Sequence, residues 1–172
     1  MAGFLKRLLY AVLLIAVQVL LLDRICLLGY STPFLYILFV LILDSDVSPV
    51  QRMLWGFCMG LSVDVFMNTP GVQAASLTLL SYLQPSLLRL EVTFDRRDHI
   101  NPGVVSMGWR AYSIYLIVGT LVFMTVCSLL GTLISAGLVA ILVRILLSTA
   151  MTVLLMLAVE LVFRKNQRRR FR

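Results

Sequence analysis

The chain has 172 residues, of which 60% are hydrophobic and only 13% charged, with a mean hydropathy of +0.98. This departs from the composition of a water-soluble domain, in which about a quarter of residues are charged. It reads as an all-α integral membrane protein, long enough for one compact bundle at about 20 apolar residues per crossing. The net charge of +7 does not point to nucleic acid, because the basic residues gather at helix ends and in a short tail, where membrane topology accounts for them.

The first apolar run, Leu8 to Leu28, follows Lys6 and Arg7. That start looks like a secretory signal, but no small-x-small cleavage site precedes Asp23 and Arg24 and further spans follow, so an uncleaved first helix is expected. The second run, Pro33 to Leu43, has 11 residues and would reach only about 22 Å even if it began at Gly29. A short, buried or tilted helix is expected there. Asp44 to Pro49 reads as a turn, and a third span runs from Pro49 to Phe66. A tight turn at Asn68, Thr69, Pro70 and Gly71 leads into a fourth, from Pro70 or Gly71 to Leu90. Thr69 is placed to accept from the free amides of that helix, and Pro70 suits the first helical position.

Residues Glu91 to Gly108 form a long polar loop, expected to carry some local structure or function. A fifth span covers Trp109 to Leu130, and a short link leads to a sixth, Leu138 to Phe163. The membrane domain is thus 1–163, and 164–172 is a basic tail carrying Arg164, Lys165, Arg168, Arg169, Arg170 and Arg172. The tail suits anionic headgroups, as a topology anchor, or a cytoplasmic partner. With the N-terminus inside, Lys6, Arg7, Arg52, Arg89, Arg96, Arg97, Arg110 and the tail place 13 of 15 basic residues on the cytoplasmic side. Both termini are therefore expected to be cytoplasmic, with the Asn68 to Gly71 turn outside.

Gly56, Gly60 and Asp64 are four residues apart and share one face of the third helix. In lipid, two such glycines let a neighbouring helix approach closely. A carboxylate beside them must face a partner or a polar cavity. Asp64 and Arg144 come out at similar depth, Arg144 about two turns from the outer end of the sixth span. An intramembrane ion pair is the leading expectation; a cap on the fourth helix, or a proton or substrate site, are the others.

Ala74, Thr78, Ser81 and Pro85 share a face, as do Ala140, Arg144, Ser148 and Met151 with Thr152 beside them. Helix packing is the ordinary reading of both, and Gln18, Gln73 and Gln84 fit packing or a cavity. Tyr10, Tyr30, Tyr36, Trp55, Trp109, Tyr112 and Tyr115 lie mostly near span ends, as interfacial aromatics do. The single histidine, His99, sits in the charged loop with no nucleophile motif. Cys26, Cys58 and Cys127 stand far apart in apolar sequence, which suggests neither a disulfide framework nor a metal site. No catalytic residue, metal or cofactor is expected.

The stretch GFCMGLSVDVFMNTPGVQAA, with Pro33 upstream and SYLQPSLLR from Ser81 to Arg89 downstream, resembles the MreD family of bacterial rod shape-determining membrane proteins. The GxxxGLxxDxF, PG and AA elements occur in order, and the loop with Pro102, Gly108, Trp109, Arg110 and Tyr115 looks like the Bacteroidota branch. The resemblance implies six transmembrane helices in a bundle similar to the substrate-binding subunits of energy-coupling-factor transporters. It implies a non-enzymatic scaffold of the cell-elongation machinery in the inner membrane. That scaffold would bind the bitopic protein MreC and be linked to MreB filaments and to the RodA and penicillin-binding-protein pair that makes peptidoglycan. Gly56, Gly60, Asp64, Pro70, Gly71 and Ala74 are then the expected packing or partner interface. The competing class is a small-molecule-binding subunit of a transporter. Such subunits usually carry an alanine pair four apart in the first helix, whereas Ala11 and Ala16 here are five apart.

Overall fold

The computed structural model describes residues 2–22, 33–43, 47–91, 102–132 and 138–170. They form seven helices and no strand. Helix α1, Ala2–Val17, continues as a π-helical turn, Gln18–Leu22, and α2, Ile37–Ile42, has only six residues. Helices α3, Pro49–Met67, and α4, Val72–Glu91, form a hairpin. A short α5, Val104–Met107, precedes α6, Trp109–Thr132, and α7, Leu138–Arg170.

Local chemistry explains several boundaries. Ser48 caps α3 by accepting from the Gln51 amide at 3.3 Å, and Pro49 follows at the first helical position. Helix α7 continues past Phe163, the expected end of the sixth span, to Arg170, so most of the basic tail is helical. The tail contains Arg, Lys and Gln, which are good helix formers, and no glycine or proline. Part of the expected polar loop is helical as α5; Arg96, Arg97 and His99 lie outside the described residues, as do Asp23, Arg24, Cys26, Tyr30 and Arg172.

The α3–α4 hairpin packs through α4 onto α6, and α6 onto α7. Enclosed among α1, α3, α4 and α6 is α2, whose residues Ile37, Leu38, Val40 and Leu41 are wholly buried. The expectation of a short buried second helix is met. Phe34, Tyr36 and Phe123 form an aromatic group with ring centroids 5.9–6.0 Å apart, in which Tyr36 meets both phenylalanines edge-on. Phe39 packs against Trp55 at 5.6 Å.

A six-residue helix leaves most of its backbone polar groups without intrahelical partners. Burial makes each such group costly. Here the Leu38 and Phe39 amides donate to the Leu35 and Tyr36 carbonyls, and side chains from four other elements bond the last turn of α2 and the segments on either side of it. Before α2, the Gln18 amide donates to the Pro33 carbonyl at 2.8 Å and accepts from the Leu35 amide at 2.9 Å. Thr152 of α7 accepts from the Phe34 amide at 3.2 Å. After α2, Gln84 of α4 donates to the Leu43 carbonyl at 3.0 Å, and the Tyr115 hydroxyl of α6 donates to the Leu41 carbonyl at 2.9 Å.

Tyr36, Tyr112 and Tyr115 are therefore core residues, at most 1% exposed, and not the interfacial aromatics expected from their positions. Arg52 is also buried, and its Nη2 donates to the Val47 carbonyl at 3.1 Å, so it has a structural task beside any effect on topology.

Among the described residues two helical segments, Trp109–Gly131 and Ile141–Leu161, are long and apolar enough to cross a membrane, and only 33% and 28% of their apolar windows are buried.

Replacing Gln18 by Leu leaves one buried donor and one buried acceptor unpaired at the start of α2. The expected loss is about 1–3 kcal/mol for each group. Ser62→Ala, which removes only a bond from an accessible hydroxyl to its own helix, is expected to change stability by less than about 0.5 kcal/mol. Thermal unfolding of both variants in the same detergent checks the contrast.

Candidate functional site

Asp64 connects two helix ends. At the end of α3 the chain enters the left-handed region at Asn68, with φ 54° and ψ 40°, a conformation asparagine tolerates. The Asn68 and Thr69 amides both donate to the backbone carbonyl of Asp64, the latter at 3.2 Å. Gly71 has φ 78° with open space where a Cβ would stand, so its backbone angle and not crowding calls for glycine. Its carbonyl accepts from the Ala75 amide at 3.0 Å, which makes Gly71 the N-cap of α4.

Glycine has no side chain to complete that cap, and the Asp64 carboxylate supplies it. Oδ1 accepts from the Gln73 amide and Oδ2 from the Ala74 amide, each at 2.9 Å. The Thr69 hydroxyl donates to Oδ1 at 2.8 Å. One residue thus ends α3 with its backbone and starts α4 with its side chain. The negative charge also lies at the positive end of α4.

Two expectations for this turn are corrected. Pro70 lies in the turn, two residues before Val72, and is not the first helical residue. Thr69 donates to the carboxylate instead of accepting from the helix amides, because Asp64 already occupies those amides.

The glycine face is used inside the chain. A Cβ on Gly60 would come within 2.6 Å of the Gln73 carbonyl oxygen and 2.7 Å of the Ala74 nitrogen, and one on Gly56 within 2.9 Å of the Leu77 carbonyl oxygen. Gly56, Gly60 and Asp64 therefore meet Gln73, Ala74, Leu77 and Ser81 as one continuous α3–α4 seam. Ala74 and Ser81 of the expected polar face belong to this seam. Thr78 bonds back to the Ala74 carbonyl of its own helix.

No ion pair links Asp64 to Arg144 among the described residues. The carboxylate oxygens are taken by two amides and a hydroxyl, so helix capping replaces the expected pair. Arg144 is exposed on α7 and lines a cavity of about 170 Å³ between the start of α4, the end of α6 and the start of α7. Gln73, Cys127, Ser128 and Ser148 also face it, over an apolar side that includes Phe34. Gln73 is held in place there, since its Oε1 accepts from the Tyr36 hydroxyl at 2.9 Å and the Cys127 thiol at 3.0 Å.

Sequence reasoning had no role for Thr152 beyond a shared face, nor for Tyr115 beyond an interface. The signal that could have found them is the shortness of the second apolar run, whose ends require partners. The basic residues Arg164, Lys165, Arg168, Arg169 and Arg170 lie on the last turns of α7, away from this site in sequence.

Comparison with protein-family models, with curated proteins and with solved structures finds no match for this chain.

The geometry makes separate demands on the two sides of the seam. Asp64→Asn retains one acceptor oxygen and is expected to cost about 1 kcal/mol, whereas Asp64→Leu frees two buried amides and is expected to cost about 2–5 kcal/mol. Gly60→Leu drives a side chain into backbone and is expected to prevent hairpin folding, not merely association. The exchange Asp64→Arg with Arg144→Asp should give no rescue. Unfolding midpoints and protease resistance in detergent report all four; a rescued double variant would contradict the capping assignment.

Proposed function

We propose that this chain is a multi-pass protein of the bacterial inner membrane and acts as a non-enzymatic scaffold of the MreD type. In this reading it binds an MreC-like bitopic protein and helps couple MreB filaments to peptidoglycan synthesis by RodA and its penicillin-binding partner. The supporting observation is that the residues carrying the resemblance work together. Gly56, Gly60, Asp64 and Ala74 form one seam, and Gly71 makes the turn that starts α4, so each has a packing, capping or turn task. A signature made of such tasks marks a rigid hairpin, which is what a scaffold presents to its neighbours.

The membrane setting draws on the outward-facing apolar surface. Leu9, Val50, Val65, Val139, Leu146 and Leu154 are all exposed, far more than a soluble domain of this size leaves to water. Helices α3 and α4, with 19 and 20 residues, reach about 28–30 Å, close to the hydrocarbon thickness of about 30 Å. Helix α2 and its approach supply only a partial crossing. It suits a bilayer because its irregular ends are covered by protein. With α1, α6 and α7 this makes six membrane segments, both termini cytoplasmic and the Asn68 to Gly71 turn outside. The helical extension of α7 then carries its basic residues to anionic headgroups or a cytoplasmic partner.

The transporter reading is less favoured. The cavity of about 170 Å³ is smaller than the roughly 300–1,000 Å³ that usually holds a small-molecule ligand.

Affinity purification of the tagged chain from gently solubilised native membranes, followed by mass spectrometry, tests the proposal. The expected companions are a bitopic protein with a large periplasmic domain and the elongation enzymes. Recovery of paired ATPases or a bound vitamin-like molecule would overturn the scaffold role.

A further inference from the structure

Arg144 raises a question that the scaffold role does not answer. It lies in the first turn of the apolar segment Ile141–Leu161, where a cation in hydrocarbon requires a counter-charge or access to the interface. Among the described residues no carboxylate pairs with it. Asp64 approaches from α3, but its oxygens are engaged by the start of α4, whose positive end offsets its charge.

The cavity beside Arg144 is not a bare groove. Gln73 is 4% exposed and fixed by the Tyr36 hydroxyl and the Cys127 thiol, and Ser148 is 2% exposed on the same wall. Ser128 adds a hydroxyl, and Phe34 and Met124 add an apolar side. The combination is one guanidinium, fixed neutral polar groups and an apolar wall, near the end of an apolar helix. Guanidinium groups bind phosphate oxygens through paired, charge-assisted hydrogen bonds. The volume suits a headgroup fragment and not a whole cofactor.

We propose that this cavity is a binding site for a phosphate-bearing anionic headgroup, with Arg144 as its cationic contact. The phosphate belongs to a membrane phospholipid whose acyl chains lie along the exposed apolar flanks of α6 and α7, or to a free anion that reaches the same cavity. The inference depends on the membrane setting and not on the partners named above.

The full chain and Arg144→Gln are purified, stripped of lipid in detergent, and offered three probes: phosphatidylglycerol vesicles, phosphatidylcholine vesicles, and inorganic phosphate alone. Native mass spectrometry reads bound lipid, and thermal unfolding reads stabilisation. The expected result is about one retained phosphatidylglycerol per chain with a raised unfolding midpoint, and at least a tenfold lower occupancy in Arg144→Gln. The same stabilisation by inorganic phosphate would assign the site to a free anion. Equal retention by both proteins, or equal binding of the two lipids, would overturn the proposal. If Arg144→Gln does not fold, Ser128→Leu leaves the cation and fills the cavity; unchanged phosphatidylglycerol binding in that variant would overturn it as well. Occupancy that follows Arg144 while the affinity purification finds no elongation proteins would remove the scaffold reading and leave this one standing.

Discussion

A buried helix of six residues has most of its backbone polar groups at its ends, where the intrahelical ladder does not reach, and much of what surrounds α2 answers that constraint. Four N–H and four C=O groups lack intrahelical partners in any α-helix, so a long helix dilutes the cost and a short one does not. The chain meets it with backbone bonds from the Leu38 and Phe39 amides and with one polar side chain from each of four elements, acting on α2 or its flanks: Gln18 after α1, Gln84 from α4, Tyr115 from α6 and Thr152 from α7. These bonds specify which helices stand beside α2 and at what height. Apolar packing alone would not, because a leucine surface tolerates sliding and rotation.

Asp64 solves the same problem at the other helix junction, with different chemistry. A chain turning between two helices in four residues must satisfy the last carbonyls of one and the first amides of the next. The left-handed residues Asn68 and Gly71 bring the chain round so tightly that neither offers a side-chain cap to α4. The carboxylate one turn back on α3 can reach the amides only if the two helices touch. That contact is what glycines at 56 and 60 permit. Removing either half of the arrangement removes the reason for the other: without close approach the carboxylate is stranded, and without the cap the seam has no registration.

The helical elements were largely legible, because apolar runs bounded by Asp, Pro and Gly have few alternatives. The starts of α3, α6 and α7 fall where expected, and the shortness of the second run pointed to its burial. What could not be read was which polar residues meet. The span boundaries put Asp64 and Arg144 at a similar expected depth, and a charge-matching argument pairs them. The actual donors, the amides of Gln73 and Ala74, carry no side-chain signal, and any residue at those positions would present them. Position along a span likewise cannot separate an interfacial tyrosine from one turned inward, as Tyr112 and Tyr115 are. Rotation about the helix axis decides that, and it is set by neighbours far away in the chain.

Use of the glycine face within the hairpin bears on how another helix could join this bundle. Close backbone contact through small residues is already occupied by α4. A neighbouring side of α3 presents Leu54, Phe57, Leu61 and Val65, all exposed and all large. A helix docking there would gain dispersion contacts from interdigitated side chains but not the short interaxial distance a glycine pair provides. The seam that makes the hairpin rigid therefore also takes the glycine motif out of use as a docking face for another helix.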